Sequence, residues 1–346
     1  MTCTSFFQEW AMVGLKDPTG LGRQARDVRK VLGLGYHFVV PSERIEGIPP
    51  EGEREFWFKP DAPESEIEAL FKKVKGIIFI ERIQWHSRLM DVALRVGIKT
   101  VCIVNWEWFK ADSELWKQIS LILCPTQFSL KIVSEYGFDN AAYLPCPVDM
   151  SQFEKRSIKG PARFFVHNAG LVDHDDRKGT RDTILAFKRV KRRDLRLLVR
   201  MQKAVPLPEL DERIEVQVGN LERPSQLYET GDVAVQPSKM EGLGLMVIEP
   251  VCCGIPTITC NYPPMNEFVQ QPEMRVSLKW FKRKAFATQW IKHAHLRLPD
   301  LNDLANRIEW CANNDLSPIS TANRAWAEDA FSVDRMRNVW FEKLSR

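Results

Sequence analysis

The apolar positions of this chain fall in short continuous blocks separated by longer periodic stretches. Gly76-Ile77-Ile78-Phe79-Ile80 is an unbroken apolar run of strand length, and after it Leu89, Val92, Ala93 and Val96 recur at i, i+3, i+4 and i+7, the spacing of one helical face. Residues 100–104, 121–124 and 141–144 repeat the strand pattern, and a helix is predicted over 128–136. These runs do not alternate apolar and polar, as a strand with one wet face would. They fit strands covered on both faces, and strands alternating with helices predict a parallel, doubly wound α/β sheet.

Pro145-Cys146-Pro147-Val148-Asp149 interrupts the pattern, and the polar stretch 151–161 reads as a linker. The pattern then restarts. Strands are expected at 163–167, 195–199, 214–218, 233–236 and 257–260, with a helix at 180–190. Val333, Met336, Trp340 and Leu344 share one face of a last helix. The chain is therefore divided into an N-terminal Rossmann-like domain (1–150), a second Rossmann-like domain (151–320) and a C-terminal helix (321–346) expected to pack back on the first domain. Two such halves in tandem predict a central cleft faced by the carboxyl ends of both sheets, where open α/β folds bind ligands.

Composition adds little to this picture and removes some alternatives. With 346 residues, 44% apolar and 27% charged, the chain reads as an ordinary globular protein with a core in each half. A net charge of +4 is too mild to imply nucleic acid as a partner. No segment approaches the roughly 20 apolar residues of a membrane span, and the start lacks a basic region followed by an apolar run. A cytoplasmic protein, at most peripherally attached to a membrane, is expected. The eight cysteines include no C-x-x-C pair, and most lie in apolar runs, which predicts buried free thiols. The segment 188–200 holds seven basic residues and one acid, Asp194. A solvated helix face and turn is the plain reading, with an anionic membrane surface or nucleic acid as the others.

The chemistry concentrates in Pro237-Ser238-Lys239-Met240-Glu241-Gly242-Leu243-Gly244-Leu245, which follows the strand at 233–236 and opens a helix. Glycines just before a helix let a ligand approach the backbone. The first N–H groups of the helix then point at it and its dipole favours an anion such as a diphosphate. Glu241 lies in the loop, where a carboxylate can accept from a sugar hydroxyl. Glu249 lies about two turns into the helix, where a carboxylate can hold a ribose by its paired hydroxyls. Alternatively, the glycines form only a helix-entry turn and Glu249 is a surface acid.

The run Glu241 to Pro256, reading E-G-L-G-L-M-V-I-E-P-V-C-C-G-I-P, resembles the signature of family 4 retaining glycosyltransferases, which have the two-domain GT-B fold. Cys252 and Cys253 stand where that family usually has small residues. Arg177-Lys178-Gly179 resembles the family's K-G turn, whose lysine neutralises donor phosphates. The family's G-R is replaced by Asn168-Ala169-Gly170-Leu171, so that Gly170 stands where arginine is usual and Arg177 is a substitute for its charge. The resemblance implies catalytic roles for Glu241, Lys178 and Arg177, and donor contacts from Gly242, Leu243, Gly244, Leu245, Glu249 and Gly170. It implies no metal and no cofactor, only a nucleoside-diphosphate sugar as substrate. A metal reading of Asp173-His174-Asp175-Asp176 is correspondingly weak.

On the acceptor side, Pro18-Thr19-Gly20-Leu21-Gly22-Arg23 resembles the family's glycine-rich loop, and Gly20, Gly22 and Arg23 are expected to face the cleft. Arg26, Arg29 and Lys30 continue a basic helix, read as solvated or as touching an anionic acceptor. After the strand at 100–104 the family often has a histidine. This chain has Asn105-Trp106-Glu107-Trp108, so Asn105 or Glu107 is expected to position the reacting groups, with Glu81 and His86 further off. The two tryptophans either stack on a ligand or pack in the core.

The expected activity is sugar transfer, with retention, from a nucleotide-sugar to an acceptor hydroxyl. The acceptor stays open among a glycan, a lipid-linked glycan and a hydroxymethylated base of DNA. A non-catalytic nucleotide-binding module on the same fold is the alternative of another class.

Overall fold

The computed structural model describes residues 3–42, 46–86, 88–172, 175–285 and 294–346. They form two compact units. The first holds residues 3–149 and 330–346, the second 150–285 and 294–329.

The first unit is a seven-stranded sheet. Its strands are β1 (Trp10–Leu15), β2 (Tyr36–Val40), β3 (Glu55–Trp57), β4 (Gly76–Ile80), β5 (Lys99–Ile103), β6 (Leu121–Cys124) and β7 (Ala141–Tyr143). They lie in the order β3-β2-β1-β4-β5-β6-β7, all parallel. β4 is buried at every position, which is why its sequence is apolar without alternation. The terminal helix Val333–Leu344 belongs to this unit: Arg337 Nε donates to Val31 O at 2.7 Å and buried Trp340 Nε1 to Pro145 O at 3.1 Å.

The second unit is a six-stranded parallel sheet. Its strands are β8 (Phe164–Gly170), β9 (Arg196–Met201), β10 (Ile214–Val218), β11 (Val233–Gln236), β12 (Thr257–Cys260) and β13 (Arg275–Val276), in the order β10-β9-β8-β11-β12-β13. An antiparallel ribbon of β14 (Leu278–Ala285) and β15 (His295–Pro299) is added to it. The strand order reverses between β8 and β11, which are neighbours although 62 residues (171–232) lie between them. At such a switch point the loops leaving the two strands diverge to opposite sides and leave room for a ligand at the carboxyl ends.

Several local expectations need correction. Gly20 and Gly22 do not form a loop. They sit in the first turn of the helix Gly20–Leu32, whose N-cap is Thr19 with its side chain accepting from Gly22 N. Gly22 is glycine because a Cβ there would lie 2.2 Å from Asp17 O, a packing requirement of the helix entry. On the basic face of this helix Arg26 and Lys30 are exposed, as a solvated face would be, while Arg29 meets Glu55 and Lys30 Nζ also lies 2.6 Å from buried Asp149. The basic run 188–200 is split between the helix Thr180–Arg189, a turn and β9. Arg189, Lys191, Arg193 and Arg196 are exposed, as a solvated face and turn would be, while Arg192 donates to Ala312 O, Arg196 to Leu195 O and Arg200 to Leu227 O. All eight cysteines are free, and all but Cys3 are buried. Among the described residues no helix is long and apolar enough to cross a membrane.

Candidate functional site

The loops leaving β8 and β11 in the second unit carry the residues singled out by the motif. After β11 the chain runs through Pro237-Ser238-Lys239-Met240-Glu241 to the helix Leu245–Cys253. Gly244 is its N-cap at φ 90° and Gly254 its C-cap at φ 83°, left-handed positions that a side chain would strain. The first N–H groups of this helix have no acceptor inside it. Gly242, Leu243 and Gly244 are all buried in the entry to this helix, and Leu245 is half-buried at its first position.

β8 ends at Gly170, at φ 62°, and the chain then reaches Arg177-Lys178-Gly179 and the helix Thr180–Arg189. The two loops are joined. Lys239 N donates to Arg177 O at 2.8 Å, and a Cβ on Gly179 would come within 2.5 Å of Pro237 O. Lys178 is thereby brought over Glu241, with Nζ 2.7 Å from Oε1 and 2.8 Å from Oε2. Arg177 Nη1 is 3.9 Å from Oε2. Glu241 is only 4% exposed. Burial pushes its carboxyl up, but the charges of Lys178 and then Arg177 outweigh that and hold it below its ordinary value. The three residues expected to be catalytic are therefore one cluster.

Glu249, 1% exposed, faces the interior of the unit, and Tyr228 Oη donates to its Oε2 at 2.5 Å. The surface-acid alternative for Glu249 does not hold.

A second charged group underlies the first. Asp176 accepts from Thr180 N (2.9 Å) and Arg181 N (3.2 Å), so it caps the helix that follows the K-G turn. Buried Lys239 lies 3.1 Å from Asp176 Oδ2 and 2.8 Å from Asp182 Oδ2. Burial would lower the lysine, but Asp182 and Asp176 hold it above its ordinary value. Burial raises Asp176, which shares one ammonium with a second carboxylate. Asp176 thus works as a cap and an ion-pair partner. Asp173 and His174 lie outside the described residues, and among those described no group of His, Cys, Asp and Glu is arranged to hold a metal.

In the first unit, Asn105 is buried and its Nδ2 donates to Gln24 Oε1 at 3.2 Å, which links it to the helix carrying buried Arg23. Glu107 is buried in the short 3-10 turn Trp106–Trp108. Trp106 is core: its ring meets Phe128 edge-on at 5.1 Å. Trp108 is half-buried. His86 is spent on Ala62 O at 3.0 Å, and Glu81 adopts φ 72°.

Residues 170–307 match the family model described as Glycosyl transferases group 1. Over nearly the whole chain the fold is similar to three solved proteins. One is HepE from Anabaena, crystallised with UDP and glucose (12% identity, TM-score 0.67, 97% of this chain and 99% of that one). The second is a glycosyltransferase from Rickettsia africae ESF-5 (14% identity, TM-score 0.68, 96% of each chain). The third is sucrose-phosphate synthase from Thermosynechococcus elongatus (14% identity, TM-score 0.65, 97% of this chain and 98% of that one). At these identities the likeness is one of fold: two Rossmann-like units of the GT-B fold. No curated protein sequence matches the chain.

Four residues of this site escaped sequence reasoning: Tyr228, Lys239, Asp182 and His167. His167 is wholly buried on β8, with Nδ1 2.7 Å from Val235 O and Nε2 3.0 Å from Thr180 Oγ1. It ties β8, β11 and the start of the helix after the K-G turn together. For His167 the available signal was a strongly polar side chain inside an otherwise apolar strand.

Proposed function

We propose that this protein is a family 4 type retaining glycosyltransferase that moves a sugar from a nucleoside-diphosphate sugar to an acceptor hydroxyl. The observation that carries this reading is the cluster of Lys178, Arg177 and Glu241 beside the N-terminus of the helix Leu245–Cys253. Two cations and a set of free N–H groups suit a diphosphate, and a carboxylate among them suits a sugar hydroxyl.

On this reading Lys178 exchanges Glu241 for the donor's phosphates, and Glu241 turns its oxygens to the sugar. The bond from the anomeric carbon to the diphosphate oxygen breaks as the acceptor oxygen bonds to the same face of that carbon. The acceptor's proton goes to the departing diphosphate. Lys178, Arg177 and the N–H groups of Gly242 to Leu245 stabilise the charge that grows on the leaving group. Gly170 lets the donor approach β8, and Glu249 holds the ribose. No metal or cofactor enters this scheme. The acceptor side is assigned to Arg23, Asn105 and Glu107 of the first unit, with Gly20 and Gly22 serving the entry to the helix that bears Arg23.

For the acceptor we favour a hydroxyl of a glycan or lipid-linked glycan. Four members of the basic run that would speak for DNA or a membrane surface, Lys188, Arg192, Arg196 and Arg200, donate to carbonyls of their own unit. Because HepE was crystallised with UDP and with UDP-glucose, uridine nucleotides are the first donors to try. The test is release of nucleoside diphosphate from a panel of nucleotide-sugars with a mixed acceptor pool, products being identified by mass spectrometry. Transfer with an α-linkage from an α-linked donor supports retention, and an inverted product overturns it. Binding without turnover for every donor and acceptor would favour a nucleotide-binding module instead.

A further inference from the structure

Glu249 sits too deep in the second unit to be aimed by solvent, and the residue that aims it is Tyr228. The tyrosine is 2% exposed, and its hydroxyl donates to Glu249 Oε2 at 2.5 Å, within the range of a charge-assisted O–H to carboxylate bond. The ring is held in place. Tyr228 follows the 3-10 turn Pro224–Leu227, and its N–H donates to Ser225 O at 2.9 Å. Its carbonyl accepts from Arg156 Nη1 at 3.1 Å, and its ring packs edge-on against Phe153 at 6.0 Å. The preceding carbonyl, Leu227 O, accepts from Asn168 Nδ2 at 3.2 Å and Arg200 Nη1 at 2.9 Å. Strands β8 and β9 therefore anchor the turn that presents the hydroxyl.

We propose that Tyr228 is a positioning residue for nucleotide recognition: its hydroxyl fixes the orientation in which the Glu249 carboxylate reads the vicinal hydroxyls of the donor's ribose. This rests on the assignment of Glu249 to the ribose given above. An ionised carboxylate offers about four acceptor positions, and the phenol takes one of them on Oε2. A cis-diol supplies two donors to a carboxylate held in this way. A nucleotide lacking one hydroxyl leaves a buried carboxylate lone pair without a donor, which is costly only while the carboxylate cannot turn away. The rigidity of Tyr228 is what makes that cost count. The hydroxyl thus acts on selectivity for ribose over deoxyribose rather than on the transfer step.

The experiment uses the full chain and whichever of UDP, GDP and ADP raises its melting temperature most. Calorimetry then gives Kd for that nucleotide and for its 2′-deoxy counterpart, in the wild type, Tyr228→Phe and Glu249→Gln. The wild type should prefer the ribonucleotide by about tenfold or more. Tyr228→Phe should reduce that ratio several-fold, chiefly by weakening the ribonucleotide, with kcat for a turned-over donor little changed beside a raised KM. A merely structural role would weaken both nucleotides alike and leave the ratio intact, and that result would overturn the proposal. If Tyr228→Phe keeps the wild-type ratio while Glu249→Gln abolishes it, the ribose assignment stands and the role of Tyr228 falls. A wild-type ratio near one removes both. Should Tyr228→Phe not fold, Arg200→Met carries the test, since it loosens Leu227 O from outside the site. A lowered ratio supports the proposal and an unchanged one overturns it.

Discussion

Lys178 places its ammonium between the two carboxylate oxygens of Glu241, 2.7 and 2.8 Å away, across 63 residues of chain. The pair joins the turn before the helix Thr180–Arg189 to the turn before the helix Leu245–Cys253. It is a bond between the two loops of the switch point and, on the proposed function, also the site that the donor's phosphates compete for.

The first prediction follows from that double role. Lys178→Met should lower kcat by about a hundredfold, the usual order for loss of one charge that stabilises a leaving group. It should also cost roughly 3 kcal/mol of stability, because buried Glu241 loses the ammonium 2.7 Å away, while the Arg177 guanidinium stands further off at 3.9 Å. The double variant Lys178→Met/Glu241→Gln should recover part of that stability and none of the activity. Urea unfolding of the wild type, Lys178→Met, Glu241→Gln and the double variant checks this, and a double variant no more stable than Lys178→Met would mean that the pair is not coupled.

Lys239 leads to a second prediction. Its ammonium serves two carboxylates, Asp176 and Asp182. Lys239→Met keeps the stem but leaves both acids without it, and should cost about 3–5 kcal/mol. Adding Asp176→Asn, which still accepts from Thr180 N and carries no charge, should restore a measurable share. Denaturant midpoints of the single and double variants decide it.

The architecture was legible because parallel strands buried on both faces are apolar throughout, as Gly76–Ile80 is. β3 was not, since it is a three-residue edge strand, Glu55–Trp57, with no buried position. The ribbon β14–β15 was missed because Lys279, Lys282, Arg283 and Lys284 break any apolar pattern. In the site, Glu241, Glu249 and Lys178 were legible because a helix entry and its glycines are local in sequence. Tyr228 and Lys239 were not, because their partners lie 21 and 63 residues away and only the sheet brings them together. The acceptor-side glycines show the converse. Gly20 and Gly22 have the composition of a ligand loop, yet the close approach of Asp17 to Gly22 and the Thr19 cap make them a helix start.

Gly179 tests the link between the loops without touching a charge. It sits at φ 73° as the N-cap of the helix Thr180–Arg189, and an added Cβ would meet Pro237 O at 2.5 Å. Gly179→Ala should therefore separate the Lys178 turn from Pro237 and cost about 1–3 kcal/mol in strain. Activity should fall more than stability does, because the displaced residue beside it is Lys178. Activity at full folding that matched the wild type would show that the spacing of the two loops is not critical.

His167 sets the response of the second unit to acid. Val235 O can only accept, so Nδ1 carries the proton and Nε2 accepts from Thr180 Oγ1. Burial, opposed by the bond to Val235 and reinforced by Lys178, lowers its pKa from 6.5 to about 4. Between those values the unfolded chain binds a proton that the folded unit does not. Stability from this group is therefore complete above pH 6.5 and is lost as the pH falls towards 4, by roughly 3 kcal/mol in all. Glu241 behaves with the same sign in a lower window: its pKa is depressed from 4.5, so its contribution is present above pH 4.5 and is lost only below that. The two can thus be told apart. Urea unfolding at pH 7.5, 6 and 5 should show a decline in the wild type that is shallower in His167→Gln, because the variant has no proton to take up at this position. Equal slopes for the two proteins over that range would mean that another group, His37 with its pKa also lowered to about 4 being the first to examine, controls the acid response.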